Sequence, residues 1–203
     1  MKNEIVIIDY GMGNLHSVSK AVEAVGAVPV VTADRAVIAA AEKIILPGVG
    51  AFGDCMKNLQ ATDLVPELIR HIESGKGFLG ICLGMQLLFE SSEESPGVAG
   101  LGIFKGCVKK LPTQYKVPHI GWNKLRLKAV SPITDAAEDS YVYFVHSFHA
   151  EPEDSAIITA VCDYGTEITA AVGRDNIQAL QFHPEKSGEA GLKMLQAFKE
   201  WKL

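Results

Sequence analysis

The sequence predicts an α/β fold: a mixed, largely parallel central sheet flanked by helices, with an antiparallel strand extension in the second half. Three features carry this expectation. In the first half, short continuously apolar runs rich in β-branched residues alternate with helix-spaced segments, the pattern of strands buried on both faces. In the second half, strand-like runs follow one another and helices are scarce. The composition, 48% apolar and 21% charged over 203 residues, suits a globular chain with one sizeable core.

The run EIVIID at 4–9 is the first expected strand. In NLHSVSKAVEAVG, Leu15, Val18, Ala21, Val22 and Val25 share one face of a helix that Gly26 stops. VPVVT and KIILPG are the second and third strands. CMKNLQATDLVPELIRHIESG is helical with a break near Thr62 and Asp63, and Pro66 is tolerated in a first turn. GFLGIC is the fourth strand, and LGMQLLFESSEE a helix after it. GIFKGCVKKL, WNKLRLKA, YVYFVHSF, IITAVC, TAAVGR and IQALQFH then read as strands, and SGEAGLKMLQAFKEWK closes the chain as a helix. No repeat, low-complexity segment or linker interrupts the sequence, so residues 1–203 read as a single domain.

Net charge is −5 and the Lys and Arg residues are scattered. A large basic face is not expected, and neither is nucleic acid as a partner. No apolar run approaches the ~18 residues of a membrane span. The opening MKNEIVIIDYGMGN lacks the pattern of a signal peptide. A cytoplasmic protein without membrane contact is the expectation. The four cysteines, Cys55, Cys82, Cys107 and Cys162, form no CxxC pair and no zinc-ligand spacing with histidine. No disulfide framework, metal or cofactor is expected. Cys55, Cys107 and Cys162 read as small buried apolar residues.

Cys82 stands apart. It lies in GICLGMQ, where a strand runs into a helix through glycine, nucleophile and glycine. Without Cβ atoms at Gly80 and Gly84 the backbone turns sharply and presents Cys82 at the carboxyl end of the sheet, where open α/β sheets bind ligands. The following helix points its N-terminus at the sulfur and favours negative charge there. The amide of Leu83 is placed to face a developing oxyanion. A structural cysteine in a glycine-rich turn fits the same residues.

A thiol nucleophile needs a base. In LQFHPEKS a strand ends at His183, and Pro184 keeps that residue out of the helical region. Glu185, two residues on in extended chain, falls on the same side and is placed to accept from one ring nitrogen while the other faces Cys82. An ordinary turn after an edge strand also fits His-Pro-Glu alone; the pairing with the turn cysteine is far more specific. His16 is expected on a helix, His71 on a helix's polar side and His119 in a loop, while His146 and His149 flank a strand end within reach of a pocket. In LPGVGAFGD, the amides of Val49 and Gly50 are candidates for a second oxyanion donor, with a simple turn as the alternative. DYGMGN has Gly-x-Gly-x-x-His spacing, which excludes a dinucleotide site and leaves Asn14 and the loop amides at the same sheet edge.

Together, GICLGMQ and HPE resemble the class I (triad) glutamine amidotransferases. DYGMGN, LPGVGAFGDCM, GICLGMQLLFESSEE, VPHIGWN, YVYFVHSF and QFHPEKS, in this order over nearly the whole chain, resemble the glutaminase subunits of imidazole glycerol phosphate synthase. The resemblance implies a class I amidotransferase fold and hydrolysis of glutamine to glutamate and ammonia by Cys82, His183 and Glu185. Val49, Gly50 and Leu83 would supply the oxyanion hole. Gln86, Glu94 and the segment His146-Ser147-Phe148 would hold the substrate, although Glu94 also fits a solvated acidic run. The implied partner is a (β/α)8-barrel cyclase that receives the ammonia in a heterodimer, with Asn14, Trp122, Tyr141 and Lys186 as interface candidates or local packing residues. A peptide flip in the PGVG loop is the expected switch. Phe148 departs from the pattern, since tyrosine is common after His-Ser, which puts a hydroxyl contact in doubt. Other readings are an amidotransferase subunit serving a different synthesis, a stand-alone cysteine hydrolase, or a non-catalytic scaffold.

Overall fold

The computed structural model describes residues 3–203. The chain begins with β1 (Glu4–Ile8), α1 (Leu15–Ala24), β2 (Val28–Thr32), α2 (Arg35–Ala40) and β3 (Lys43–Gly48). It continues with α3 (Phe52–Ala61), α4 (Val65–Glu73), β4 (Gly77–Cys82) and the single turn α5 (Leu83–Gln86). The strands start and stop close to where the apolar runs do. The long helical segment breaks at Thr62–Leu64, where Asp63 takes φ 55° and Pro66 enters the first turn of α4. The short α2 was not anticipated. Its six residues are too few to show a period, but Asp34 caps it by accepting from the amides of Ala36 and Val37.

The second half holds β5 (Phe89–Ser92), β6 (Phe104–Lys110), β7 (His119–Lys124), β8 (Arg126–Leu127), β9 (Tyr141–His146) and β10 (Phe148–Pro152). β11 (Ile158–Asp163), β12 (Glu167–Arg174), β13 (Ile177–Leu180) and α6 (Gly188–Glu200) complete it. The central sheet has eight strands in the order β2-β1-β3-β4-β13-β12-β11-β8. The first five run parallel and the last three alternate antiparallel.

Three expectations needed correction. The helix expected over 83–94 ends after α5, because the next residues pair as β5 with β6 and Phe89 lies opposite Phe104. Tertiary pairing there overrides the helical spacing. The strands of the second half do not all extend the central sheet. β10-β6-β5 form a second sheet and β7-β9 a third. WNKLRLKA is not one strand. β7 starts earlier, at His119, and pairs along its whole length with β9, whereas β8 joins β11. The buried Leu125 marks the switch between sheets.

Both faces of the central sheet are covered. Along β1, Val6 and Ile8 face a core under α2, α3 and α4, while Ile5 and Ile7 face a core under α1 and α6. This alternation is the period-two pattern of a strand buried on both sides. The carboxyl ends of β3, β4 and β13 lie side by side and carry the loops described next.

Candidate active site

Cys82 ends β4 in a conformation few non-glycine residues adopt, φ 55° and ψ −111°. The strand turns into α5 within one residue. A Cβ at Gly84 would lie 1.9 Å from the Leu46 carbonyl oxygen, so only glycine passes there. His183 follows β13 at the neighbouring strand end. Its amide donates to Tyr143 O at 2.9 Å, and its carbonyl accepts from Ser187 Oγ at 2.6 Å. Glu185 does not reach His183 through extended chain, as expected, but through a 3-10 turn at Pro184–Lys186. The result is the expected pair, His183 Nδ1 to Glu185 Oε1 at 2.8 Å, with both side chains buried. That contact leaves Nε2 for the cysteine.

Burial alone would push the His183 imidazole down. The Cys82 sulfur and the Glu185 carboxylate beside it outweigh burial and lift it to about 10. The balance favours the imidazolium form over the neutral ring, against what burial alone would do.

A cavity of about 310 Å³ opens over this pair. Cys82, His183, Val49, Gly50, Leu83, Gln86, Glu94, His146, Ser147 and Phe148 all line it, so every expected catalytic, oxyanion and substrate residue except Glu185 meets there. Glu185 lies behind His183. Of the interface candidates only Lys186 lines it. The last rung of the β3–β4 ladder sets Gly48 opposite Cys82.

Two substrate candidates are partly committed to the protein. Gln86 Nε2 donates to Phe148 O at 3.0 Å and to Gln181 Oε1 at 2.9 Å. Glu94 Oε2 accepts from the amide of Phe52 at 2.7 Å, at the start of α3. Gln181 was missed from the sequence, and its Nε2 lies 3.9 Å from Cys82 Sγ. The signal was present: Gln181 stands two residues before His183, the spacing that places strand residues on one side.

The other histidines differ from expectation. His71 is buried, with Nε2 3.1 Å from Gly77 O, rather than on a polar helix face. His119 lies on β7, not in a loop. His146 Nδ1 meets Phe148 O at 2.8 Å and Nε2 meets His119 Nδ1 at 3.0 Å. This fixes Nδ1 as the donor on both rings. Burial pushes His146 down to about 3 and His119 to about 4, so the pair stays neutral. His149 is buried away from the cavity, and His16 is exposed on α1. Cys107 is half-buried on β6, a correction to the expectation of a buried residue, whereas Cys55 and Cys162 are buried.

The outer face of the β7–β9 ribbon presents Ile120, Trp122 and Tyr141, each more than half exposed at 60%, 56% and 60%. Trp122 lies opposite Tyr143, whose ring also carries Lys186 Nζ at 6.0 Å. Asn14 caps α1, accepting from the Ser17 amide at 3.4 Å. Among the described residues no helix is long and apolar enough to cross a membrane.

The family model described as Glutamine amidotransferase class-I matches residues 6–201. The chain is 55% identical over 196 residues to the imidazole glycerol phosphate synthase subunit HisH of Aquifex aeolicus, covering 96% of this chain and 95% of that one. It is 52% identical over 196 residues to the protein of the same name from Methanothermobacter thermautotrophicus, covering 97% and 98%. Among solved structures it is similar in fold to PurLQS from Thermotoga maritima, with TM-score 0.76 and 23% identity over 98% of each chain. The glutaminase domain of Trypanosoma brucei CTPS with bound acivicin matches with TM-score 0.66 and 16% identity, covering 99% of this chain and 95% of that one.

Proposed function

The chain belongs to the class I glutamine amidotransferases and is a glutamine-hydrolysing enzyme; from that premise we propose that it is the glutaminase subunit of an imidazole glycerol phosphate synthase and works through Cys82, His183 and Glu185. The observation that carries the chemistry is the cavity in which Cys82 meets a His183 oriented by Glu185. Near-full-length similarity to synthase subunits supports the assignment to this synthase.

Cys82 sulfur attacks the side-chain amide carbon of glutamine. His183 takes the Cys82 thiol proton and passes it to the departing nitrogen, which leaves as ammonia. A γ-glutamyl thioester remains on Cys82. Water then attacks it with His183 as base, and glutamate departs with the thiol restored. Glu185 keeps the imidazole in one orientation and stabilises its cation. Leu83 N–H and an amide of the PGVG loop, Val49 or Gly50, hold the tetrahedral oxyanion. Glu94 carries the charge complementary to the α-ammonium of the substrate. Gln86, with its amide hydrogens committed, acts through its oxygen and holds the Phe148 carbonyl in place, and His146 and Ser147 complete the wall.

The PGVG loop is the switch: the last rung of the β3–β4 ladder sets Gly48 opposite Cys82, beside the Leu83 amide that follows it in the chain. Turning the Gly48–Val49 peptide reverses its carbonyl and N–H and so presents the Val49 N–H to the oxyanion. A (β/α)8-barrel cyclase supplies the cause of the turn and receives the ammonia. It joins the ammonia to phosphoribulosyl-formimino aminoimidazole carboxamide ribonucleotide, giving imidazole glycerol phosphate and aminoimidazole carboxamide ribonucleotide. The exposed face of the β7–β9 ribbon, with Trp122 and Tyr141, meets this partner, and Lys186 and Asn14 flank the route to the site. The test is glutamine hydrolysis by wild type and Cys82→Ala, each with and without the cyclase and its nucleotide. Wild-type activity should be weak alone, rise in the complex, and vanish in Cys82→Ala under both conditions. Hydrolysis that persists in Cys82→Ala overturns the assignment.

A further inference from the structure

Tyr10 of the motif DYGMGN and the buried Cys55 have no part in the reaction described above, yet both reach the loop that carries it. Tyr10, buried, donates from its hydroxyl to the Pro47 carbonyl oxygen at 2.8 Å. Cys55, fully buried on α3, donates from Sγ to the Val49 carbonyl oxygen at 3.4 Å and lies 3.6 Å from the Tyr10 hydroxyl. Two protons thus serve the two carbonyls on either side of the Gly48–Val49 peptide. We propose that Tyr10 and Cys55 are positioning residues of the glutaminase, pinning the Pro47–Gly48 and Val49–Gly50 peptides so that only the Gly48–Val49 peptide between them turns. This rests on the glutaminase reading above.

A planar peptide between two fixed neighbours turns by opposite changes in ψ of Gly48 and φ of Val49. The two anchors then decide where the turning N–H stops. They also choose between the two candidate donors. The Gly50 N–H belongs to the peptide that Cys55 holds through the Val49 carbonyl, so the Val49 N–H is the one delivered. The hydroxyl lies against the pivot itself: a Cβ at Gly48 would come within 2.9 Å of Tyr10 Oη and 2.9 Å of Leu83 Cβ. Phenylalanine and valine would fill this part of the core without the cost of burying polar groups. Burial pushes the Tyr10 phenol far above its ordinary value and the Cys55 thiol to about 11, which keeps both as proton donors at neutral pH.

The experiment uses the full chain in complex with the cyclase and its nucleotide. Tyr10→Phe keeps the ring and removes only the hydroxyl. The kcat for glutamine hydrolysis should fall on the order of tenfold while KM stays within about twofold. Alkylation of Cys82 by iodoacetamide, which needs no oxyanion donor, should keep its wild-type rate. Cys55→Ala should behave in the same way, and Cys55→Ser, which retains a donor, should recover part of the kcat. Wild-type kcat in both Tyr10→Phe and Cys55→Ala overturns the proposal. So does a parallel loss of kcat and alkylation rate, which marks distortion of the whole site. Wild type and Cys82→Ala run alongside report on the glutaminase reading separately: a wild-type complex that leaves glutamine intact removes that reading, and the clamp with it.

Discussion

At the scale of single residues, the site depends on charge held where burial opposes it. His183 is buried, yet its folded value of about 10 lies above the ordinary 6.5 because the Cys82 sulfur and Glu185 outweigh burial. A raised histidine contributes stability that is fully present below pH 6.5 and lost as pH rises through about 10. The melting temperature of wild type should therefore fall more steeply between pH 7 and pH 10 than that of His183→Gln, which has no imidazole to discharge. Parallel profiles would show that His183 is not held as a cation. The sequence made Cys82 and His183 legible because each sits in a short pattern whose glycine or proline restricts the backbone. Glu185 was reached by a face argument that assumed extended chain; the 3-10 turn after Pro184 achieves the same meeting by another path. Tyr10 and Cys55 were not legible, since a buried tyrosine or cysteine carries no local sign of which distant carbonyl it serves.

At the scale of elements, the turn from β4 into α5 fixes the position of Cys82. The α5 helix is only four residues long, so its dipole is a smaller influence than a full helix would give. Close backbone packing is the stronger constraint. A methyl group at Gly84 would overlap the Leu46 carbonyl, which belongs to β3 and cannot swing away. Gly84→Ala should lower stability by about 3 kcal/mol or more, read from urea denaturation, or prevent soluble folding. A variant with the wild-type urea midpoint would mean that the turn has slack the structure does not show. The four parallel strands of the first half were legible because each is a continuous apolar run between turn residues. The second and third sheets were not. Period-two patterns in β6, β7, β9 and β10 identify strands but say nothing about partners, and partners decide which sheet a strand joins. The helix expected over 83–94 failed for the same reason, because Phe89 finds Phe104 across the fold.

For the whole molecule, the eight-stranded sheet brings the loops after β3, β4 and β13 to one edge, and the β7–β9 ribbon stands beside them through the His183 amide on Tyr143. The ribbon's inner face carries His146 into the cavity, and its outer face leaves Ile120, Trp122 and Tyr141 exposed. An aromatic anchor at such a face commonly contributes about 2 kcal/mol, so Trp122→Ala should weaken binding of the cyclase roughly 30-fold by calorimetry. Wild-type affinity would move the interface elsewhere. The central claim, that Cys82 carries the glutamyl group through the reaction, is tested most directly by quenching the complex with acid during glutamine turnover and mapping its peptides by mass spectrometry. The account predicts a γ-glutamyl adduct on the peptide that contains Cys82, absent in Cys82→Ala. Rapid hydrolysis with the adduct on another residue would contradict it.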